Sequence, residues 1–221
     1  MLSLPGTARR AGGVGTSAVA LAAALGVLAA VAGPAAAARA GDGLRFGTAT
    51  VVGADCTRNG PPAPVYDVPN KRFSVTFSGF EAIAERRGDI VNAACEVMVP
   101  VFLAPGFRLK VTDTIFAGKT TMGRLDTAHL LGEVRFHGLS RAPVYRVDKK
   151  FVDHAGILKT FAEKGDVQTD YNTCKETQVV VSIHTQIQSE NYEGDETAIH
   201  LDSIEHTLRG AINLDLMTER C

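Results

Sequence analysis

The chain has 221 residues, with 23 Lys and Arg against 24 Asp and Glu, four cysteines and no tryptophan. A formal net charge of −1 excludes the broad basic surface that a nucleic-acid partner needs. The missing tryptophan removes the largest aromatic platform available to a sugar-binding sandwich.

The first forty residues are unlike the rest. They hold no Asp or Glu; Arg9 and Arg10 are followed by an Ala, Val, Leu and Gly run from Ala18 to Ala32. Small residues lead to Ala38-Arg39-Ala40 and then Gly41-Asp42-Gly43. A positive start, an apolar stretch and a small-x-small site are the order of a secretory signal. The apolar run is 15 residues, shorter than the roughly 20 of a membrane span. The expectation is a signal peptide over residues 1–40, one domain over 41–221, and no stable membrane insertion once the signal is removed. The remaining 181 residues carry 20 basic and 24 acidic side chains, a net charge of −4. A chain of that length buries enough surface to fold alone.

Cys56, Cys95, Cys174 and Cys221 all lie beyond the signal. An even count in an exported chain predicts two disulfides, and four cysteines allow three pairings. Cys56–Cys95 and Cys174–Cys221 are expected, because each closes a loop within one half of the chain. No C-x-x-C pair supports a zinc site.

After the rigid stretch Gly60-Pro61-Pro62-Ala63-Pro64, the dominant period is two. Phe73, Val75 and Phe77 alternate with polar residues. Cys95 to Leu103 is largely apolar on both sides and predicts a central strand, with Pro100 marking a bulge or break. Ala104-Pro105-Gly106 stands at hairpin spacing before the alternation of Phe107, Leu109 and Val111. Ala117-Gly118-Lys119 and Gly138 to Pro143 read as further breaks. Phe151, Ala155, Leu158 and Ala162 fall at helical spacing, so a short helix and an irregular strand pair both fit 151–162. Val179, Val181, Ile183, Thr185 and Ile187 share one strand face. Glu190 to Glu196 is a polar loop before a strand near 198–205, and Leu208, Ile212, Leu214 and Leu216 alternate near the end. The fold class is all-β, an antiparallel β-sandwich or barrel-like domain with one short helix at most and two disulfides.

The order of these segments resembles the secreted family called domain of unknown function 4360. Its elements are matched by Val51 to Cys56, the Phe73 to Ser78 strand, Asn92 to Gly106, and Phe136-His137-Gly138. Cys174 to Ile187, Asp202-Ser203-Ile204 and the final Cys221 complete a likeness that covers nearly all of residues 45–221. The resemblance implies a secreted protein with no assigned activity, and it supplies no catalytic residues.

Candidate chemistry is sparse. His200 and His206, six residues along one strand, stand about 20 Å apart, too far to share an ion. His184 falls on a wet strand face; His129, His137 and His154 lack ligand spacing. Glu190, Glu193, Asp195 and Glu196 offer hard oxygens for calcium but lack an Asp-x-Asp-x-Asp pattern, and a charged hairpin tip accounts for them. No Gly-x-Ser-x-Gly accompanies Ser78-Gly79, and Asp148 with Asp153 has no spacing that demands glycosidic chemistry. Among Tyr66, Tyr145, Tyr171 and Tyr192, Tyr192 is the best surface aromatic. No catalytic, cofactor or metal residue is assigned. A non-enzymatic extracellular β domain binding an unidentified partner or ligand is expected, with recognition in loops 57–71, 138–172 and 189–197. A small apolar-ligand-binding β-barrel and a hydrolase assembled only in three dimensions are the alternatives.

Overall fold

The computed structural model describes residues 44–58, 60–67, 69–137, 144–152, 156–167, 174–201 and 211–221. The signal segment, the Gly138–Pro143 turn, Asp153, His154, Ala155, Tyr171, Asp202-Ser203-Ile204, His206 and Leu208 lie outside the described residues.

Fourteen strands run in chain order: β1 (Arg45–Phe46), β2 (Thr50–Val52), β3 (Ala63–Asp67), β4 (Arg72–Thr76), β5 (Phe80–Ala84), β6 (Ile90–Phe102) and β7 (Phe107–Thr121). They continue as β8 (Thr127–Phe136), β9 (Tyr145–Val152), β10 (Lys159–Lys164), β11 (Asp166–Val167), β12 (Gln178–Glu190), β13 (Thr197–Leu201) and β14 (Ile212–Arg220). They form two seven-stranded antiparallel sheets. The first has the order β1-β6-β12-β8-β9-β11, with β2 also on β6. The second has the order β3-β4-β14-β7-β13-β5, with β10 on β7. Each sheet keeps its own edges, so the domain is a sandwich and not a closed barrel.

Period-two alternation builds the core between the sheets. Val179, Val181, Ile183, Thr185 and Ile187 of β12 point inward beside Ala93, Cys95, Val97, Val99 and Val101 of β6. Phe73 and Val75, Leu109 and Val111, and Ile212, Leu214 and Leu216 supply the second sheet's share. Both expected disulfides are present, Cys56–Cys95 and Cys174–Cys221.

The bulge or break expected at Pro100 does not occur in its own strand; the irregularity falls on the neighbouring one. β6 runs unbroken through Pro100, while the strand beside it splits into β1 and β2. Pairing passes from Phe46↔Val101 to Thr50↔Met98, leaving one extra residue on the β1–β2 side, opposite Pro100. Pro100 has no N–H to offer there, and its carbonyl accepts from the Gly47 N–H at 2.7 Å.

Several expected breaks are different in space. Ala104-Pro105-Gly106 is no hairpin, because β6 and β7 belong to opposite sheets. Ala117-Gly118-Lys119 lies inside β7. Gly118 is there because the His200 carbonyl and the Phe161 ring pass over its Cα, where any Cβ would collide with both. Pro64 sits in β3, which pairs with a single strand, β4, as an edge strand allows. No α-helix occurs among the described residues. The helical spacing over 151–162 comes from the end of β9 in one sheet and the start of β10 in the other, where Phe151 and Phe161 meet at 4.7 Å.

Candidate functional site

Four connections cross from sheet to sheet at one end of the sandwich: β5 to β6, β7 to β8, β9 to β10, and β12 to β13. Crossing segments expose backbone polar groups that no strand ladder satisfies. Here one carboxylate gathers much of that demand. Asp126, only 1% exposed, accepts from the Gly123 N–H at 3.0 Å, the Tyr192 N–H at 2.6 Å and the Glu193 N–H at 3.1 Å. The Thr197 hydroxyl also donates to it. It thus ties the β7–β8 and β12–β13 connections together. Burial alone would push the Asp126 carboxyl up; the Thr197 hydroxyl and the three backbone donors outweigh it and hold the group below its ordinary value.

The neighbouring residues extend the tie. Glu193 accepts from the Arg124 N–H at 2.7 Å. Gly123 leaves that path open, since a Cβ there would strike the carboxylates of Glu193 and Asp126. The Asn191 amide donates to the Ala84 carbonyl at 3.0 Å and to the Asp195 carbonyl, and its Oδ1 accepts from the Gly194 N–H at 2.7 Å. The Gly88 N–H reaches the Asn191 carbonyl at 2.7 Å, and the Gly156 N–H reaches the Met122 carbonyl at 2.6 Å. All four crossings are therefore linked. Against this firm frame, Ile90, Leu125, Val152, Ile157, Leu158 and Tyr192 are exposed.

Beside this end, the outer face of the first sheet carries a groove of about 320 Å³ lined by Thr127, His129, Asp148, Lys150, Gln188 and Glu190. Register explains the grouping. Gln188, His129 and Lys150 form one row across β12, β8 and β9, and Glu190, Thr127 and Val152 form the next. Asp148 accepts from His129 Nε2 at 2.7 Å and from the Arg146 guanidinium at 2.8 Å; these two partners hold its carboxyl below the ordinary value. Glu190 accepts from the Tyr192 hydroxyl at 2.8 Å, the Thr127 hydroxyl at 2.9 Å and the Gln188 amide at 3.0 Å. Tyr192 first, then Thr127, keep it ionised, and in return Glu190 raises the Tyr192 hydroxyl's pKa.

Within the acidic stretch 190–196, the Glu190 and Glu193 carboxylates are hydrogen-bonded, and Asp195 takes part through its backbone carbonyl. No group of three or more His, Cys, Asp or Glu placed to hold a metal ion occurs among the described residues. Tyr145 is not a surface aromatic: it is fully buried, donating to the Thr114 carbonyl and accepting from the Gly165 N–H. Tyr66 is half-buried against Phe46 and Phe73, which leaves Tyr192 as the exposed tyrosine among the described residues.

The described histidines are part-exposed or exposed, as a solvated face requires, and stand beside carboxylates. His200 Nδ1 meets Glu81 at 3.0 Å, and His137 stands 3.8 Å from Glu96. His184 lies in register between Glu96 and Glu133. Ser78, Glu81 and His200 line a common recess, yet no hydrogen bond joins Ser78 to His200 among the described residues. Of the expected recognition loops, 189–197 is one of the four crossings. Residues 57–71 and 138–172 contain β3, β9, β10 and β11, so much of each is strand. What the sequence did not disclose is Asp126, a lone acid between Leu125 and Thr127 whose burial depends on loops 66 to 71 residues away.

No family model matches the chain, and no curated protein matches it. Among solved structures, it aligns with one described as TmCBM61 in complex with β-1,4-galactotriose. Identity is 15%, the alignment covers 80% of this chain and 88% of that chain, and the TM-score is 0.23. A likeness at that score carries no inference about fold or ligand.

Proposed function

We propose that the chain is exported through residues 1–40 and acts outside the cell as a non-enzymatic binding domain. Its recognition surface is the end where the four crossings meet, with the adjoining groove. One observation carries the reading. Six large apolar side chains are exposed around charged and polar groups on a frame tied by Asp126 and Asn191. Exposed apolar groups gathered on a rigid, hydrogen-bonded scaffold mark interaction surfaces. The disulfides suit an oxidising compartment, and the resemblance to the secreted family is part of the same proposal.

Site-specific photo-crosslinking tests it. A photoreactive residue at Tyr192 is compared with one at Met217, which is also exposed, on β14 away from the crossings. The exported protein is incubated with surface extracts of the cells that make it. Adducts are expected at 192 and not at 217; adducts at 217 alone would overturn the assignment. Intact mass of the exported product should lack residues 1–38 or 1–40, and a retained amino terminus would remove the export claim.

A further inference from the structure

Resting on that binding reading, we infer that the groove beside Tyr192 takes a neutral, hydroxyl-rich ligand, a short uncharged oligosaccharide. Asp148 and Glu190 face the groove with Lys150, and Arg146 stands behind Asp148. Both carboxylates are held ionised. Asp148 and Glu190 are offset by Lys150 and Arg146, so the groove has no excess of one sign to select an ion, and its specificity falls to hydrogen bonding.

Hydrogen-bonding capacity comes next. A carboxylate has about four acceptor sites. Asp148 uses two of them and Glu190 three. Lys150 lines the groove, and its positive charge also helps hold Glu190 ionised. Gln188 gives one amide proton to Glu190 and retains a carbonyl. Acceptors and donors therefore stand side by side over three adjacent sheet rows, with Leu131 between Gln186 and Asp148 in the third. Each hydroxyl of a polyol both donates and accepts, so it satisfies such an array where a purely donating or accepting ligand would not.

Rigidity and an aromatic edge complete the case. The carboxylates are fixed by their partners before any ligand arrives, which lowers the ordering cost of binding. Tyr192 stands at the rim, half-exposed, with its hydroxyl pinned by Glu190. Its ring is an amphipathic surface on which a C–H-bearing sugar face can rest. The groove's size lies at the lower end of ligand-sized clefts, roughly 300–1,000 Å³. The polar surface continues past it through Gln186 and the His184–Glu133–Arg146 row, giving room for a neighbouring ring.

The test uses the exported protein and five probes: a neutral α-linked and a neutral β-linked hexose trisaccharide, xylotriose, trigalacturonic acid and an uncharged Gly-Ser peptide. Binding is followed by calorimetry and by amide shifts of His129, Gln188 and Tyr192. At least one neutral trisaccharide should bind and shift all three residues. Tyr192→Ala should weaken it by about tenfold or more, Lys150→Ala by a smaller factor, and Tyr192→Phe least. Both 192 variants should melt with the wild-type protein, because the side chain is exposed. The inference is overturned if no neutral trisaccharide binds at about 10 mM, if only the anion or the peptide binds, or if Tyr192→Ala and Lys150→Ala leave affinity unchanged. Crosslinks at 192 without saccharide binding would remove the ligand class and leave the recognition end standing. Saccharide binding that shifts His129 and Gln188 without macromolecular crosslinks at 192 would confine recognition to the groove and remove the crossings from it.

Discussion

The two ends of the sandwich are held by different chemistry. At one, Cys174, just before β12, is bonded to Cys221, just after β14, so a covalent link joins the two sheets. The Cys221 N–H adds a bond to the Gly106 carbonyl at 2.8 Å, on the connection from β6 to β7. At the other end no disulfide exists, and Asp126 joins two of the crossings through three backbone N–H groups and one hydroxyl. A disulfide does not titrate in the acid range, whereas a carboxylate tie does. The hydrogen-bonded end is also the one proposed for recognition. The disulfide that joins the two sheets lies away from it, and Cys56–Cys95 sits at mid-length of β6.

The largest effects come from breaking each tie in turn. Replacing Cys174 and Cys221 by Ser opens a closure with a sequence separation of 47, and should cost about 4 kcal/mol on the chain-entropy account. Asp126→Ala strands three backbone donors and a buried hydroxyl, and should cost about 3 kcal/mol. Denaturant unfolding measures both. The comparison fails if Asp126→Ala is as mild as an ordinary surface substitution, within about 0.5 kcal/mol. It is sharpened if amide exchange in that variant accelerates at Gly123, Tyr192 and Glu193 but not at Phe107 and Arg220.

Acid should separate the ends next. Asp126, Asp148 and Glu190 all sit below their ordinary values in the folded protein. A carboxyl with a depressed folded pKa contributes stability that is complete above its unfolded pKa, about 3.9 for Asp and 4.3 for Glu. That contribution is lost as pH falls through the lower folded pKa. Asp126 should dominate, because it is buried; Asp148 and Glu190 lie on a solvated face where water and salt screen them. Amide spectra recorded while lowering the pH below about 4 should change first at the crossings, with Phe107 and Arg220 following only at global unfolding. Simultaneous change at both ends would show that the carboxylate tie has no separate role.

Much of the fold was legible because it rests on a local signal. Val179 to Ile187 and Phe73 to Phe77 alternate, and each apolar set lies inside. The disulfides followed from the economy of short loops. Less was legible where two sheets decide the outcome. Phe151 and Ala162 look helical in one dimension because the chain leaves one sheet and enters the other between them. Gly118 reads as a turn until the His200 carbonyl above it is seen. The candidate site was visible only as the acidic 190–196 loop and the surface prospects of Tyr192. Asp126, His129 and Lys150 carry no motif, and register alone brings His129, Lys150 and Gln188 into one row.

The smallest predicted effect tests how finely the groove is set. Tyr192 is exposed, so removing its hydroxyl should leave Tm unchanged. Its bond to Glu190 is nevertheless the first cause of that carboxyl's lowered pKa, ahead of Thr127. In Tyr192→Phe the Glu190 carboxyl should therefore rise toward its ordinary value while Asp148, held by His129 and Arg146, stays where it is. Carboxyl-carbon titration by NMR resolves the two. If Glu190 does not move, Thr127 and Gln188 alone fix it, and Tyr192 is a ring at the rim without a hand in the groove's charge.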